Sequence, residues 1–371
     1  MELTIDKFES WSPVKERPLI ISGPCSAESE EQLMDTCTQL YKEGIRVMRA
    51  GVWKPRTRPG GFEGIGKEAL GWIQNVKKEL GVKFAVEVAN PDHVEACLAA
   101  GIDILWVGAR STVNPFTVQE IADSLVGVDV PVLIKNPINP DLALWLGAIE
   151  RINKAGITKI GAIHRGFSSF QKTKYRNVPA WQFPIELKRE FPEMPLFGDP
   201  SHICGNREML LDVAQKGLDL NYDGLMIESH RDPDNAWSDA KQQVTPARLG
   251  EMVRELKPKS AHSTDATFNH FMEQMRDQID NADREILEAL ANRMRLVEKM
   301  GEFKRDNNVT IFQVDRWNEI YKSRAEWGKS LSLSPDFVEE TYKLITLLLS
   351  SSKLRLWLKY LQAEKSKNDS R

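Results

Sequence analysis

Leu19-Ile20-Ile21-Ser22-Gly23-Pro24-Cys25-Ser26 is an apolar, β-rich run that stops at a glycine turn. An open, doubly wound nucleotide-binding sheet also begins with a strand and a turn, but its turn reads GxGxxG. Here the turn carries a proline and a thiol instead. Outward from it, further runs of strand type follow at Arg46–Trp53, Lys83–Val88, Ile104–Gly108, Val130–Lys135, Lys159–His164, Pro195–Gly198 and Gly224–Glu228. Segments of helical spacing separate them: Glu30–Tyr41, Gly66–Leu80, Asp92–Ala100, Leu142–Ile152 and Arg207–Gln215. Strands alternating with helices imply βαβ units and a parallel sheet. Eight such repeats in about 240 residues predict a closed (β/α)8 TIM barrel, an α/β fold, over residues 1–258.

The chain has 371 residues, more than one core usually serves, so two domains are expected. A net charge of −3 supplies no basic field for nucleic acid. The four cysteines are too scattered for a secreted disulfide framework, and no apolar stretch approaches a bilayer span. The expectation is a cytoplasmic enzyme with reduced thiols, no nucleic-acid partner and no membrane segment.

Barrel enzymes carry their chemistry at the C-terminal ends of the strands. In order those ends offer Cys25, Lys54 with Arg56, Glu87, Arg110, Lys135, Arg165, His202 and Glu228, with Asp239 shortly beyond. With Arg49 included, six cations crowd one rim, and like charges gather at a cost unless an anion sits among them. A strongly anionic ligand, with two phosphates, is implied. Cys25, His202, Glu228 and Asp239 form a donor set neither all soft nor all hard. Such a set suits a divalent ion such as Mn, Fe, Co or Zn, which would polarise a carbonyl. Singly, each has a plainer reading: Cys25 a small core residue, His202 a structural imidazole, Asp239 a helix cap.

The polar, proline-containing stretch at 259–267 reads as a linker. Beyond it, over 268–371, the pattern is all helical. Met272, Met275, Ile279, Ala282, Ile286, Leu290, Met294 and Val297 recur every three or four residues, predicting one amphipathic helix of about 50 Å that ends near Arg305. A second helix is expected from about Val314 to Trp327. Ser334-Pro335-Asp336 opens a third that reaches about Gln362. Three helices with so long a first member cannot bury their own apolar stripe, which predicts a homodimer through this region. Arg293 and Lys304, eleven residues apart, share a face. Arg276 points elsewhere and would serve a partner chain's site, and Arg316 opens the second helix. Together they suit a small dianion; the alternative is a solvated basic face.

Gly23-Pro24-Cys25-Ser26, Lys54-Pro55-Arg56-Thr57, Gly108-Ala109-Arg110, Lys135, His164-Arg165-Gly166, Asp199-Pro200-Ser201-His202 and Glu228 followed by Asp239 resemble, in order, the 3-deoxy-D-arabino-heptulosonate-7-phosphate (DAHP) synthases of type Iβ. The resemblance spans about residues 18–257. It implies condensation of phosphoenolpyruvate with erythrose 4-phosphate and release of phosphate. It makes Cys25, His202, Glu228 and Asp239 the metal ligands, with Mn favoured, and Lys54, Cys25 and His202 the catalytic residues. Arg49, Lys54, Arg110, Lys135 and Arg165 would hold phosphoenolpyruvate; Arg56 and Thr57 would hold the aldose phosphate. The related 3-deoxy-octulosonate 8-phosphate synthases carry Ala-Asn-Arg-Ser where this chain has Pro55-Arg56-Thr57, which favours erythrose 4-phosphate. Two stretches depart from the family pattern: Asn136-Pro137 replaces Arg-Gly after Lys135, and Ser229-His230-Arg231-Asp232-Pro233 replaces Val-His-Pro-Glu-Pro.

Residues 268–362 are similar to the AroQ-type chorismate mutases, through Arg276, Arg293, Lys304 and Arg316. That resemblance implies conversion of chorismate to prephenate, with these cations and Lys353 on the carboxylates and ether oxygen. Departures are Gln313 for an Asp and Trp317 for a Glu; the expected Ser and Gln of the third helix align with Leu349 and Lys353, or with the neighbouring Ser350–Ser352. The pairing of the two activities suggests feedback, chorismate or prephenate in the helical site inhibiting the barrel. The alternative is a helical domain that only senses these acids and dimerises. The chain starts almost at the barrel, without room for a ferredoxin-like regulatory domain.

Overall fold

The structure, a computed structural model, describes residues 3–15, 17–54, 60–170, 173–259, 265–310 and 313–346. Arg56, Thr57, Leu349 and Lys353 lie outside the described residues, as does the third helix beyond 346. The chain divides into two compact units, Met1–Ala261 and His262–Arg371.

In the first unit β1 (Leu19–Gly23), β2 (Val47–Arg49), β3 (Lys83–Val88), β4 (Ile104–Val107), β5 (Val132–Lys135), β6 (Ile160–His164), β7 (Leu196–Gly198) and β8 (Gly224–Glu228) close in sequence order into a parallel barrel. Closure is the β1–β8 pairing, with Leu19 opposite Gly224 and Gly23 opposite Glu228. Side chains alternate between two cores, as the pleat requires. Leu19, Ile21, Val47, Ala85, Trp106, Leu133, Ile163, Phe197 and Met226 fill the interior. Ile20, Met48, Val86, Leu105, Ile134, Ala162 and Leu225 face the surrounding helices. A short helix, Phe8–Trp11, closes the end opposite the strand C-termini; Phe8 meets Phe197 edge-on at 5.6 Å.

The outer helices start on local signals. Asn90-Pro91, Asn114-Pro115, Asp199-Pro200 and Thr245-Pro246 each place a capping oxygen before a proline at the first helical position. Those caps open helices Pro115–Ser124 and Pro246–Glu255, which hydrophobic spacing alone did not single out. The helix expected over Arg207–Gln215 runs instead over Leu210–Asp219. Arg207 precedes it and turns its guanidinium to the main chain of Ala240 and Gln243.

In the second unit one helix spans Ala266–Asp306, 41 residues, with Asp265 accepting from the Thr267 and Phe268 amides. A second runs Val314–Ser330. Ser334 Oγ accepts from Phe337 N at the start of the third, described over 335–346. Within this unit Phe268, Phe271, Ile279, Ile286, Leu287 and Leu296 of the long helix are exposed. No helix among the described residues is long and apolar enough to cross a membrane.

Candidate active site

The turn after β1 sets the geometry. Gly23 has φ +152°, and a Cβ there would stand 2.0 Å from the Arg49 carbonyl oxygen, so only glycine lets the turn approach β2. The turn then lays Cys25 across the rim, its amide donating to Gln243 Oε1 at 2.9 Å. Cys25, Glu228 and Asp239 meet there, with one donor atom from each inside a mutual distance of 4.8 Å. His202 reaches this group through Glu228, with Nε2 4.0 Å from Oε1. Four residues separated by up to 214 positions therefore converge on one end of the barrel.

Each ligand candidate is held from behind. His202 Nδ1 lies 2.9 Å from Asp199 Oδ2, which leaves Nε2 turned towards Glu228. Gln242 Nε2 donates to Glu228 Oε2 at 2.6 Å. Arg176 Nη1 donates to Asp239 Oδ1 at 3.0 Å, and Asp239 itself sits at φ +46°. Lys54 Nζ donates to Cys25 Sγ at 2.9 Å.

The charges balance unevenly. Burial, then Glu228, pushes the Cys25 thiol up to about 11, with Lys54 opposing. Burial would also raise Glu228, yet His202, Arg49 and Lys54 keep its carboxyl below the usual range. Burial opposes ionisation of Asp239 too, but Arg176 beside it holds that carboxyl well below its ordinary value. Burial lowers the pKa of His202 against the pull of Asp199, which favours the neutral ring, the form that binds a metal. A thiol and two carboxylates at one point, with an imidazole 4.0 Å from one of them, fit a divalent cation of borderline softness. Glu228 Oε1 strengthens that fit: it is buried and accepts no hydrogen bond, although Arg49 Nη1 lies 3.1 Å away. A buried carboxylate oxygen left bare is costly unless a ligand takes it.

The cations gather on the same rim. Arg49 is buried, with Nε lacking an acceptor and its guanidinium 5.0 Å from the Trp106 ring centroid. Lys135 Nζ is 2.8 Å from Asp199 Oδ2 and lies over the same ring. Arg165 donates to Asn177 Oδ1 at 2.8 Å. Burial first, then the Arg176 and Arg110 guanidinium groups, brings Arg165 down to about 10 against the pull of Asp199. The departure at Asn136 has a local role: its Oδ1 accepts from Arg165 N at 2.7 Å and its Nδ2 donates to Gly166 O at 2.9 Å, tying β5 to the end of β6. Asp199, Asn177, Arg176 and Gln242 were not among the expected site residues. Asp199 had a legible signal as the cap of a Pro-opened helix; Arg176 and Asn177 stand in a loop, and Gln242 ends a 3-10 turn, Ala240–Gln242, too short to show a repeat.

In the helical unit Lys304 Nζ donates to Gln313 Oε1 at 2.9 Å, so the residue that replaces an Asp still meets this cation. Arg316 pairs with Glu319 at 2.6 Å. Arg293 Nη1 is buried without an acceptor, and burial lowers its pKa. Arg276 is exposed.

Comparison with known proteins bears on the barrel and on the helical unit separately. Residues 13–262 match the model of the DAHP synthetase I family, and residues 275–349 match chorismate mutase type II. A phospho-2-dehydro-3-deoxyheptonate aldolase of Thermotoga maritima is 32% identical over 238 residues, covering 64% of this chain and 68% of its own. A 2-dehydro-3-deoxyphosphooctonate aldolase of Thioalkalivibrio sulfidiphilus is 28% identical, covering 65% and 90%. The crystal structure of a Thermotoga maritima DAHP synthase superposes with a TM-score of 0.58 at 30% identity, covering 64% of this chain and 67% of that one.

Proposed function

The chain belongs to the DAHP synthetase I family and carries a chorismate mutase type II domain; from that premise we propose that its barrel condenses phosphoenolpyruvate with erythrose 4-phosphate and its helices convert chorismate to prephenate. The observation that carries the first half is the meeting of Cys25, Glu228 and Asp239 beside a buried Arg49. Cys25, His202, Glu228 and Asp239 would hold a divalent metal, Mn favoured, which when bound polarises the aldehyde carbonyl. Arg49, Arg110, Lys135 and Arg165 clamp the phosphate and carboxylate of phosphoenolpyruvate, for which forked guanidinium groups are suited. Arg56 and Thr57 take the aldose phosphate. The enol carbon then bonds to the aldehyde carbon, water adds at C2, and the phosphate leaves. Lys54 keeps its proton at Nζ, since Cys25 and Glu228 outweigh its burial. It is placed to supply that proton to the new hydroxyl.

Phosphate release should follow erythrose 4-phosphate addition, stop with chelator and return with Mn2+. The same assay with a five-carbon aldose phosphate tests the rival product class, since eight carbons less the three of phosphoenolpyruvate leave five. Faster turnover of the five-carbon sugar would overturn the substrate assignment.

For the helical unit, Arg293 with its unmet Nη1, Lys304, Arg276, Arg316 and Lys353 bind the two carboxylates and ether oxygen of chorismate. The exposed apolar side chains of Ala266–Asp306 support pairing with a second copy. Prephenate or chorismate bound there inhibits the barrel, in a cytoplasmic homodimer. Titrating the full chain with prephenate while following DAHP formation tests this; an unchanged rate removes feedback. Binding without loss of chorismate would leave the second reading, a sensor without turnover, which the replacement of an Asp and a Glu by Gln313 and Trp317 favours.

A further inference from the structure

Arg176 stands on the loop between β6 and the helix Gln182–Glu190, outside every expected role, yet it touches Asp239 and, through one glutamine, reaches Glu228. Its Nη1 donates to Asp239 Oδ1 at 3.0 Å and to Gln242 Oε1 at 2.6 Å. The same Gln242 turns its amide nitrogen to Glu228 Oε2 at 2.6 Å. We propose that Arg176 is a positioning residue that orients Asp239 directly and Glu228 through Gln242. It can do so only if these carboxylates hold a metal, as proposed above.

A glutamine amide can present either end to a neighbour, and a carboxylate accepts only from the nitrogen end. With Arg176 on Oε1, the nitrogen must face Glu228. That bond takes Oε2 and leaves Oε1 to the centre, where Cys25 and His202 stand. On the other arm, the bond to Oδ1 leaves Asp239 Oδ2 3.5 Å from Cys25 Sγ. The fold holds the guanidinium in place. The backbone amides of Arg176 and Asn177 donate to Cys204 O and Ile203 O, at 3.3 and 3.1 Å. Gly205, at φ +68°, gives the side chain its path, since a Cβ there would meet Arg176 Cβ at 2.5 Å. Asn177, the next residue, accepts from Arg165 Nη1 and donates from Nδ2 to His202 O at 2.6 Å, which fixes the loop on the same side of the site.

The test is Mn2+ binding to the full-length chain, read from the free-ion electron paramagnetic resonance signal. R176A should raise the Mn2+ dissociation constant by about 10–100-fold, the usual range for a group behind a ligand, while leaving the melting temperature of the metal-free protein near that of wild type. R176K should recover part of the loss. Q242A should weaken binding in the same direction. If R176A does not fold, R176K and Q242A carry the comparison. Unchanged affinity in R176A overturns the proposal. So does tighter binding, which would make Arg176 a mere countercharge competing with the ion. Wild-type protein that binds no Mn2+ would instead overturn the metal reading itself.

Discussion

Lys54 Nζ lies 2.9 Å from Cys25 Sγ and 2.9 Å from Cys25 O, so one ammonium grips both the side chain and the peptide of the thiol residue. The thiol is buried among carboxylates that disfavour its thiolate, and Lys54 is the strongest charge working the other way. Lys54 therefore favours the thiolate of Cys25, and in the mechanism proposed above it also supplies the proton to the developing alkoxide. K54M should cut kcat/KM by about 10²–10⁴-fold, the usual span for a lost general acid. Steady-state kinetics at saturating Mn2+ decide it; a wild-type kcat in K54M would remove the proton role.

Asp199 joins two sites through one buried carboxylate. It receives Lys135 Nζ at 2.8 Å and His202 Nδ1 at 2.9 Å. Burial opposes its charge, but His202 and Lys135 hold it well below the ordinary carboxylate range. D199N strands a buried ammonium and should cost about 3–5 kcal/mol of stability. It should also free the His202 ring and weaken Mn2+ binding by about 10–100-fold. Urea unfolding and a Mn2+ titration on the same variant read the two effects apart. Loss of stability with undiminished metal affinity would deny Asp199 its hold on His202.

Phe8 separates fold from chemistry. It is buried at the end of the barrel away from the strand C-termini, against Phe197 and Trp11. F8A should destabilise the barrel by about 3–5 kcal/mol. The kcat of the protein that remains folded should not change. A fall in kcat that exceeds the folded fraction, measured by circular dichroism, would tie this plug to the active end.

The barrel was legible because most of its strands are buried on both faces and read as short, mainly apolar runs. Each of the eight runs contains a strand of the structure, although that from Arg46 to Trp53 yields only Val47–Arg49. The chain leaves the sheet there to carry Lys54 towards Cys25, and a function-bearing exit has no periodicity to announce it. The Phe8–Trp11 plug was illegible for a similar reason, since four residues cannot show a helical repeat. Strand-end chemistry pointed to Cys25 and Glu228. It could not find Arg176, placed by a loop path and by Gly205, or Gln242, which ends a three-residue 3-10 turn too short for any spacing.

His164 offers a prediction in pH. Its buried ring is satisfied in the neutral form, with Nε2–H donating to Pro179 O at 2.6 Å and Nδ1 accepting from the Tyr222 hydroxyl at 2.9 Å. Burial, with Arg165 nearby, lowers its pKa from 6.5 to about 4, although the bond to Pro179 pulls the other way. Between those values the unfolded chain binds the additional proton. Stability from this group is therefore complete above about 6.5 and is lost as pH falls towards 4, by on the order of 3 kcal/mol. H164Q can keep one donor and one acceptor but cannot titrate, so its unfolding free energy should fall less steeply over that window. Urea midpoints of both proteins between pH 4 and 7 measure the difference in slope. Parallel curves would mean that protonation of His164 is not linked to unfolding.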